Sequence, residues 1–246
     1  MAPSLLVGKI TDKKLITMKA KDISEIIKKL APPELAYEGE EIGFIVGDEN
    51  KEIAVVGVTE RPTTKVLQEA IVNKVDMLII HEPLYQSKKS FLVDAKFLSY
   101  PPNQKREELV KKGNFCVYRL HSEWDDAKDG NNDTLAKLLR LEVTDKLPYG
   151  RIGKIESISL QQFSELIKKS LGCKYVLVVG NKDKNINIVA VVAGSGNSLT
   201  EIIELAKQKG ADVLVSGDIQ DSRARFASEL DLALIDAGDY FTRLSL

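Results

Sequence analysis

Apolar and polar positions alternate along the chain in a pattern that predicts helices and strands in turn. Residues 63–74 and 198–210 carry apolar side chains at helical spacing, and each is followed by a short apolar run, at 75–80 and 211–217. The same succession of helix and apolar strand recurs at 103–120. Nearly continuous apolar strands are typical of sheets that helices cover on both faces. The pattern therefore predicts an α/β protein with mostly parallel or mixed sheets.

The length of the chain, 246 residues, is enough for two domains of ordinary size. The best candidate for a boundary is the segment VTDKLPYGRIG at 143–153. We therefore predict a first α/β domain over residues 1–145 and a second over residues 146–246. We find neither a sequence repeat of fixed period nor a low-complexity linker.

The composition of the chain argues against two classes of binding partner, nucleic acids and membranes. Charged residues make up 29% of the chain, but the net charge is only −1, which argues against nucleic acid as a partner. No apolar run approaches the roughly 18 residues of a membrane helix, and the start of the chain does not resemble a signal peptide. These features predict a cytoplasmic protein without a membrane partner. Cys116 and Cys173 lie far apart and outside any CxxC pattern, so we expect no disulfide.

Both histidines of the chain follow predicted strands. His81 and Glu82 come directly after one apolar run, and His121 follows another, with Asp125 four residues further on. Asp239 lies just beyond the last predicted strand. The carboxyl ends of strands are where α/β sheets place their sites, and imidazole with carboxylate suits Zn, Fe or Mn. The set predicts a divalent-metal site, although each residue taken alone could be an ordinary polar residue at a strand end.

A second candidate site is the turn formed by Gly194, Ser195 and Gly196, between a predicted strand and a predicted helix. Backbone N–H groups in such a turn can bind a phosphate or a carboxylate. The last glycine of a full GxGxxG pattern is replaced by leucine. The alternative is a tight turn in which Asn197 or Ser198 caps the helix.

Seven segments, in order, resemble the NIF-three-like family, whose members are often named GTP cyclohydrolase I type 2 homologs. They lie within about residues 30–243 and read APPELAYEGEEIGFIVG, HEPLYQ, HSEWDDAKDGNND, GRIG, GSG, GADVLVSGD and LIDAGDYFTR. The resemblance implies two α/β domains facing a central cleft, a dinuclear metal site and assembly into a homo-oligomer, a ring-shaped hexamer. It also implies ring opening of GTP by metal-activated water.

The resemblance implies six metal-binding positions, of which this chain keeps three and changes three. The positions kept are His81, His121 and Asp125. Glu82 stands in place of the second histidine of a pair, Asp239 in place of another histidine and Arg243 in place of a glutamate. Glu82 and Asp239 can still bind an ion, but a guanidinium has no acceptor and stays charged. The segment with Asp239 and Arg243 is expected to return to the cleft.

Two hypotheses for function remain open. In the first, the chain is a divergent family member with a degenerate dinuclear metal site, and it serves as a binding or scaffold protein with weak or no hydrolase activity. Arg243 then replaces a cation, and a nucleotide or anion binder that uses Arg243 and the glycine turn is a variant. In the second, the chain is a metal-dependent hydrolase acting on a nucleotide-like substrate, with one or two ions. The ligands would be His81, Glu82, His121, Asp125 and Asp239.

Overall fold

The computed structural model describes residues 5–9, 17–85 and 100–243. The chain divides into two compact units, the first ending at Trp124 and the second beginning at Asp125. The boundary predicted at 145/146 falls inside a strand of the second unit, Glu142–Leu147, which pairs with Gly150–Ser159 in a hairpin. The segment 143–153 resembles a linker because that strand is mostly exposed at the edge of its sheet, where polar residues are usual.

The first unit is built on a five-stranded mixed sheet. The elements of the whole unit, in chain order, are β1 (Leu6–Lys9), β2 (Met18–Lys19), α1 (Ala20–Leu30), β3 (Gly43–Val46), β4 (Glu52–Ile53), β5 (Val55–Thr59), α2 (Thr64–Val72), β6 (Met77–Ile80), α3 (Pro101–Gly113) and β7 (Cys116–Arg119). The strand order is β1-β5-β6-β7-β3, in which β5, β6 and β7 run parallel and the two edge strands run antiparallel to their neighbours. A short helix, α4 (Ser122–Asp126), follows β7 and spans the division between the units.

Helix α2 shows how the sequence pattern produces this unit. The Thr63 side chain accepts a hydrogen bond from the Val66 N–H at 3.3 Å and caps the helix. One turn later, Leu67 and Ala70 are fully buried and pack in the same core as Leu78 of β6. The helical spacing of apolar residues therefore covers one face of the sheet.

The second unit contains a six-stranded mixed sheet. Its further elements are α5 (Asn131–Leu138), β8 (Glu142–Leu147), β9 (Gly150–Ser159), α6 (Leu160–Leu171), β10 (Leu177–Val179), β11 (Asn185–Val191), α7 (Thr200–Gln208), β12 (Val213–Ser216), α8 (Asp221–Glu229), β13 (Ala233–Asp236) and α9 (Asp239–Thr242). The order is β10-β13-β12-β11-β9-β8, and β11, β12 and β13 are parallel. Among the helices described in either unit, none combines the length and apolar character that crossing a membrane requires.

The second half of β11, residues 188–191, shows why this part of the strand is continuously apolar. Val189 and Val191 face one side of the sheet and pack with Phe163 of α6. Ala190 faces the other side and packs with Ile203 of α7. Successive residues of a strand point to opposite faces, so a sheet covered on both sides needs apolar residues at every position. The prediction of an α/β fold with mixed sheets is confirmed.

The two units repeat one hydrogen-bonding pattern, although the sequence has no repeat of fixed period. In the first unit, the Asp76 carboxylate accepts the backbone N–H groups of residues 54 and 55, both at 2.9 Å. In the second, the Asp212 carboxylate accepts those of residues 187 and 188, at 2.8 and 2.9 Å. A residue with left-handed backbone stands two positions before each aspartate, with φ of 54° and 82°. Strands β6 and β12 therefore begin in the same way.

Candidate metal centre

The carboxyl ends of β6 and β7 bring three candidate ligands together in the first unit. The two strands are parallel neighbours, with Ile80 opposite Arg119, so the residues that follow them emerge at the same edge. His81 and Glu82 leave β6 at this edge, and His121 follows β7. The predicted proximity of the two histidines is therefore a direct result of strand order.

The donor atoms of this group suit a divalent ion. The ring centroids of His81 and His121 are 4.6 Å apart, and both side chains are buried. One ligand atom from each of His81, Glu82 and His121 lies within 4.8 Å of the others, so small side-chain adjustments would place all three around one ion. Two imidazoles and a carboxylate are a ligand set that Zn²⁺ and Fe²⁺ commonly take.

A backbone carbonyl sets the orientation of His81. The Nδ1 atom of its ring lies 2.9 Å from the Leu120 carbonyl oxygen. Because a carbonyl only accepts, Nδ1 carries the hydrogen in this contact, and Nε2 is the nitrogen that would bind an ion. The contact therefore suits His81 to metal binding.

A carboxylate plays the corresponding part for His121. The Nδ1 atom of His121 hydrogen-bonds Glu40 Oε1, and the Ser122 hydroxyl donates to Glu40 Oε2. Arg119 Nη2 lies 3.3 Å from Glu40 Oε1, and both of these side chains are 2% exposed. Burial alone would raise the pKa of Glu40, but the bonds from His121 and Ser122 and the charge of Arg119 outweigh it and hold that pKa below its ordinary value.

Glu40 is not among the site residues that the sequence predicts. It lies in the loop between the 3-10 turn Pro33–Leu35 and β3, 81 residues before His121. It belongs to the block APPELAYEGEEIGFIVG, but other glutamates occur in that block and nothing in the pattern distinguishes one of them. The only available signal was its membership of a segment that resembles the family.

A further buried carboxyl, Glu123, lies beside this group. Its Oε2 accepts the backbone N–H of His121 at 3.1 Å. Burial raises the pKa of Glu123 to about 6, and the negative charge of Glu40 contributes in the same direction. The pKa values of the two glutamates are therefore shifted in opposite directions, because a guanidinium and two side-chain donors surround Glu40.

In the second unit, the structure places a guanidinium beside two candidate ligands. Arg243 Nη1 lies 3.3 Å from Asp239 Oδ1, and Arg243 Nε lies 4.0 Å from Asp125 Oδ2. Asp125 Oδ1 also accepts a hydrogen bond from Asn131 Nδ2 at 2.5 Å. Arg243 and Asp125 are buried, so this positive charge is held among carboxylates rather than in solvent.

The glycine turn of the second unit packs against the same guanidinium. A Cβ added to Gly194, whose φ is +84°, would lie 2.2 Å from Arg243 Nη2. The Gly194 N–H donates to Thr242 Oγ1 at 2.8 Å. At Gly196, a Cβ would meet Val192 at 2.6 Å. Close packing therefore accounts for both glycines, and anion binding by the turn stays a prediction.

Comparison with known proteins decides the family. The model of the Duf34/NIF3 (NGG1p interacting factor 3) family matches residues 18–243. The chain belongs to the Duf34/NIF3 family. A Duf34/NIF3 relative from Methanocaldococcus jannaschii, named GTP cyclohydrolase 1 type 2 homolog, is 34% identical over 232 residues, which cover 92% of this chain and 91% of the relative.

Two solved structures share the fold of this chain. Reduced HcgD from Methanocaldococcus jannaschii matches with a TM-score of 0.78 at 31% identity, over 94% of this chain and 91% of that one. A Bacillus cereus protein related to NIF3 matches with a TM-score of 0.80, over 92% and 89% of the two chains. Its identity is 23%, so this second likeness shows the fold alone.

In this Duf34/NIF3 member, the predicted site residues form two sets. His81, Glu82 and His121 gather in the first unit. Asp125 and Asp239 lie with Arg243 in the second unit, next to the turn that contains Gly194. The first set has the donors of a metal site, and the second set already contains a cation. The roles of all these residues stay predictions.

Proposed function

We propose that this chain is a divergent Duf34/NIF3 protein with a degenerate metal centre. It binds one divalent ion through His81, Glu82 and His121 and carries Arg243 where a second cation would be held. It acts as a binding or scaffold protein, with weak or no hydrolase activity.

The observation that carries this proposal is the pairing of Arg243 with Asp125 and Asp239. A guanidinium is always charged and offers no acceptor to an ion. At a separation of about 4 Å and an effective dielectric constant of about 20, it would repel a divalent ion by about 8 kcal/mol. The two carboxylates are also engaged by the arginine, so they would have to give up that pairing to bind an ion.

Metal analysis of protein purified without a chelator tests the proposal. We expect about one ion of Zn, Fe or Mn per chain in the wild type and a large loss in His81→Ala. Asp125→Asn is the matched control, because it changes a candidate ligand of the second set and should leave the metal content unchanged. Two ions per chain, or an unchanged content in His81→Ala, would contradict the proposal.

A restored second site gives an independent check. The combined change Arg243→Glu, Glu82→His and Asp239→His removes the guanidinium and supplies the residues expected from the family resemblance. We expect this variant to bind more than one ion per chain. A variant that folds but binds no additional ion would show that these positions do not correspond to family ligands.

The alternative is a divalent-metal-dependent hydrolase that acts on a nucleotide-like substrate. The set of three ligands favours it, because three protein ligands leave coordination positions open, as catalytic sites do. A bound divalent ion lowers the pKa of water towards neutrality and so supplies a nucleophile. The names of the relatives suggest GTP as the first substrate to assay. Turnover of GTP above that of His81→Ala would favour this alternative, and we expect none or very little.

The family resemblance also suggests how the chain assembles. We propose a homo-oligomer, a ring-shaped hexamer, in the cytoplasm. Light scattering coupled to size exclusion measures the mass in solution directly. A mass equal to that of a single chain would contradict this part of the proposal.

A further inference from the structure

A buried network of side chains surrounds one histidine of the candidate metal centre. The carboxylate of Glu40 accepts hydrogen bonds from His121 and Ser122 and pairs with Arg119 at 3.3 Å. We infer that Glu40 is a positioning residue, held by Arg119 and Ser122, that orients His121 Nε2 for metal binding. The inference rests on the proposed function, because it assigns a role in that same metal site.

Arg119 offsets the energetic cost of burying the Glu40 carboxylate. An unpaired carboxylate with 2% exposure would be strongly destabilising, and the guanidinium supplies the opposite charge. Arg119 also donates to the backbone carbonyl of Glu41 at 2.7 Å and to that of His81 at 3.2 Å. One side chain therefore ties the loop that carries Glu40 to the end of β6.

The position of Arg119 in the strand explains why it can reach Glu40. Arg119 and His121 are two residues apart, so they point to the same side of the extended chain. Glu40 accepts from both of them through the same oxygen atom, Oε1. The carboxylate is thus fixed between a permanent cation and the imidazole that it orients.

The hydrogen bond also selects the tautomer of His121. Because an ionised carboxylate only accepts, the hydrogen lies on Nδ1 and the ligand nitrogen is Nε2. His81 has the same arrangement with a neutral acceptor, the Leu120 carbonyl. A carboxylate behind a metal-binding histidine raises its basicity, and losing such a partner typically weakens metal affinity by about 10–100-fold.

A purely structural role for Glu40 is the alternative that the test must separate. Ser122 Oγ accepts the backbone N–H of Tyr37 at 2.9 Å, so the network also anchors the loop before β3. A structural anchor would affect stability without requiring the negative charge. A positioning carboxylate would affect the tautomer of His121 and the affinity for metal.

The presence of only two histidines makes the tautomer measurable. Protein labelled with ¹⁵N-histidine gives two imidazole patterns by NMR, and His81→Gln assigns them. The spectra are recorded on metal-free protein at mildly alkaline pH. Affinity is measured with Co²⁺ as the probe, from its visible absorption, for the wild type, Glu40→Ala, Glu40→Gln and the control Glu41→Gln. Glu41 is exposed, and Arg119 contacts its backbone rather than its carboxylate.

We expect wild-type His121 to carry its hydrogen on Nδ1. Glu40→Ala should populate the Nε2–H tautomer and weaken Co²⁺ binding by about 10–100-fold. Glu40→Gln keeps an acceptor without the charge, so its affinity for Co²⁺ should lie between that of the wild type and that of Glu40→Ala. Glu41→Gln should match the wild type.

Two results would overturn the inference: a wild-type His121 with its hydrogen on Nε2, or a Glu40→Gln protein that binds Co²⁺ as tightly as the wild type. Neither of these two measurements depends on whether the Glu40→Ala protein folds. A wild-type protein that binds no Co²⁺ would refute the proposed function. The tautomers of the metal-free wild type and Glu40→Gln would then still decide whether Glu40 orients His121.

Discussion

Replacing Arg243 with methionine tests whether the guanidinium neutralises two carboxylates inside the second unit. Methionine is unbranched and uncharged and is about as long as the aliphatic stem of arginine, so it removes the ion pairs and keeps the packing of that stem. The Arg243 side chain is 6% exposed, that of Asp125 is 8% exposed and that of Asp239 is 20% exposed. The change therefore leaves one buried and one mostly buried carboxylate without their cation.

The magnitude follows from the geometry of these pairs. Removing one partner of a fully buried pair costs about 3–5 kcal/mol. The loss should be smaller here, because Asp239 is partly solvated and the contact of Arg243 with Asp125 is 4.0 Å long. Asp125 also keeps its hydrogen bond from Asn131. We expect the free energy of unfolding to fall by about 2–3 kcal/mol.

Urea unfolding of the metal-free protein, followed by circular dichroism, measures the change. Arg225→Met is the matched control: Arg225 pairs with Asp221 at the same i,i+4 spacing, but the two side chains are 69% and 81% exposed. An exposed pair of this kind contributes about 0–1 kcal/mol. Equal losses in the two variants would refute the view that Arg243 neutralises buried charge, and so would an Arg243→Met protein as stable as the wild type.

Three further predictions follow from local geometry. Gly194→Ala should destabilise the protein more than Gly210→Ala in urea unfolding, because both glycines have positive φ but the nearest atom to an added Cβ is 2.2 Å away at the first and 4.0 Å at the second. Equal effects would contradict close packing of the guanidinium. Ser159→Ala should lower the free energy of unfolding by about 1 kcal/mol by removing a capping box, and an unchanged stability would contradict it. Burial raises the pKa of the Cys116 and Cys173 thiols, so native protein should carry little thiolate and resist a thiol reagent at neutral pH, reacting faster as pH rises. Rapid labelling of native protein at neutral pH would contradict this.

The grouping of His81, Glu82 and His121 could largely be predicted from the sequence. An apolar run followed by His81 and Glu82, and another followed by His121, indicate strand ends, and parallel neighbouring strands bring such ends together. The motifs were also sufficient to predict the family that the comparison shows. These features are local in sequence or depend only on the order of residues.

Other features could not be predicted because they depend on contacts between distant segments. Glu40 lies 81 residues from the imidazole that it contacts, and its low exposure is a property of the folded unit. The hairpin at 143–153 was mistaken for a boundary, because an edge strand and a linker are both polar where they face solvent. The shared pattern at Asp76 and Asp212 lies in hydrogen bonds and backbone angles, which different residues can produce.

The sequence by itself determined the alternation of helices and strands and the strand ends that carry the histidines. Hydrophobic periodicity and residue chemistry are sufficient for these, since they act within a few residues. Only the tertiary structure decided that Arg243 lies against Asp125 and Asp239, and that Glu40 lies behind His121. A buried charge needs a partner, and which partner it finds depends on which segments the fold brings together.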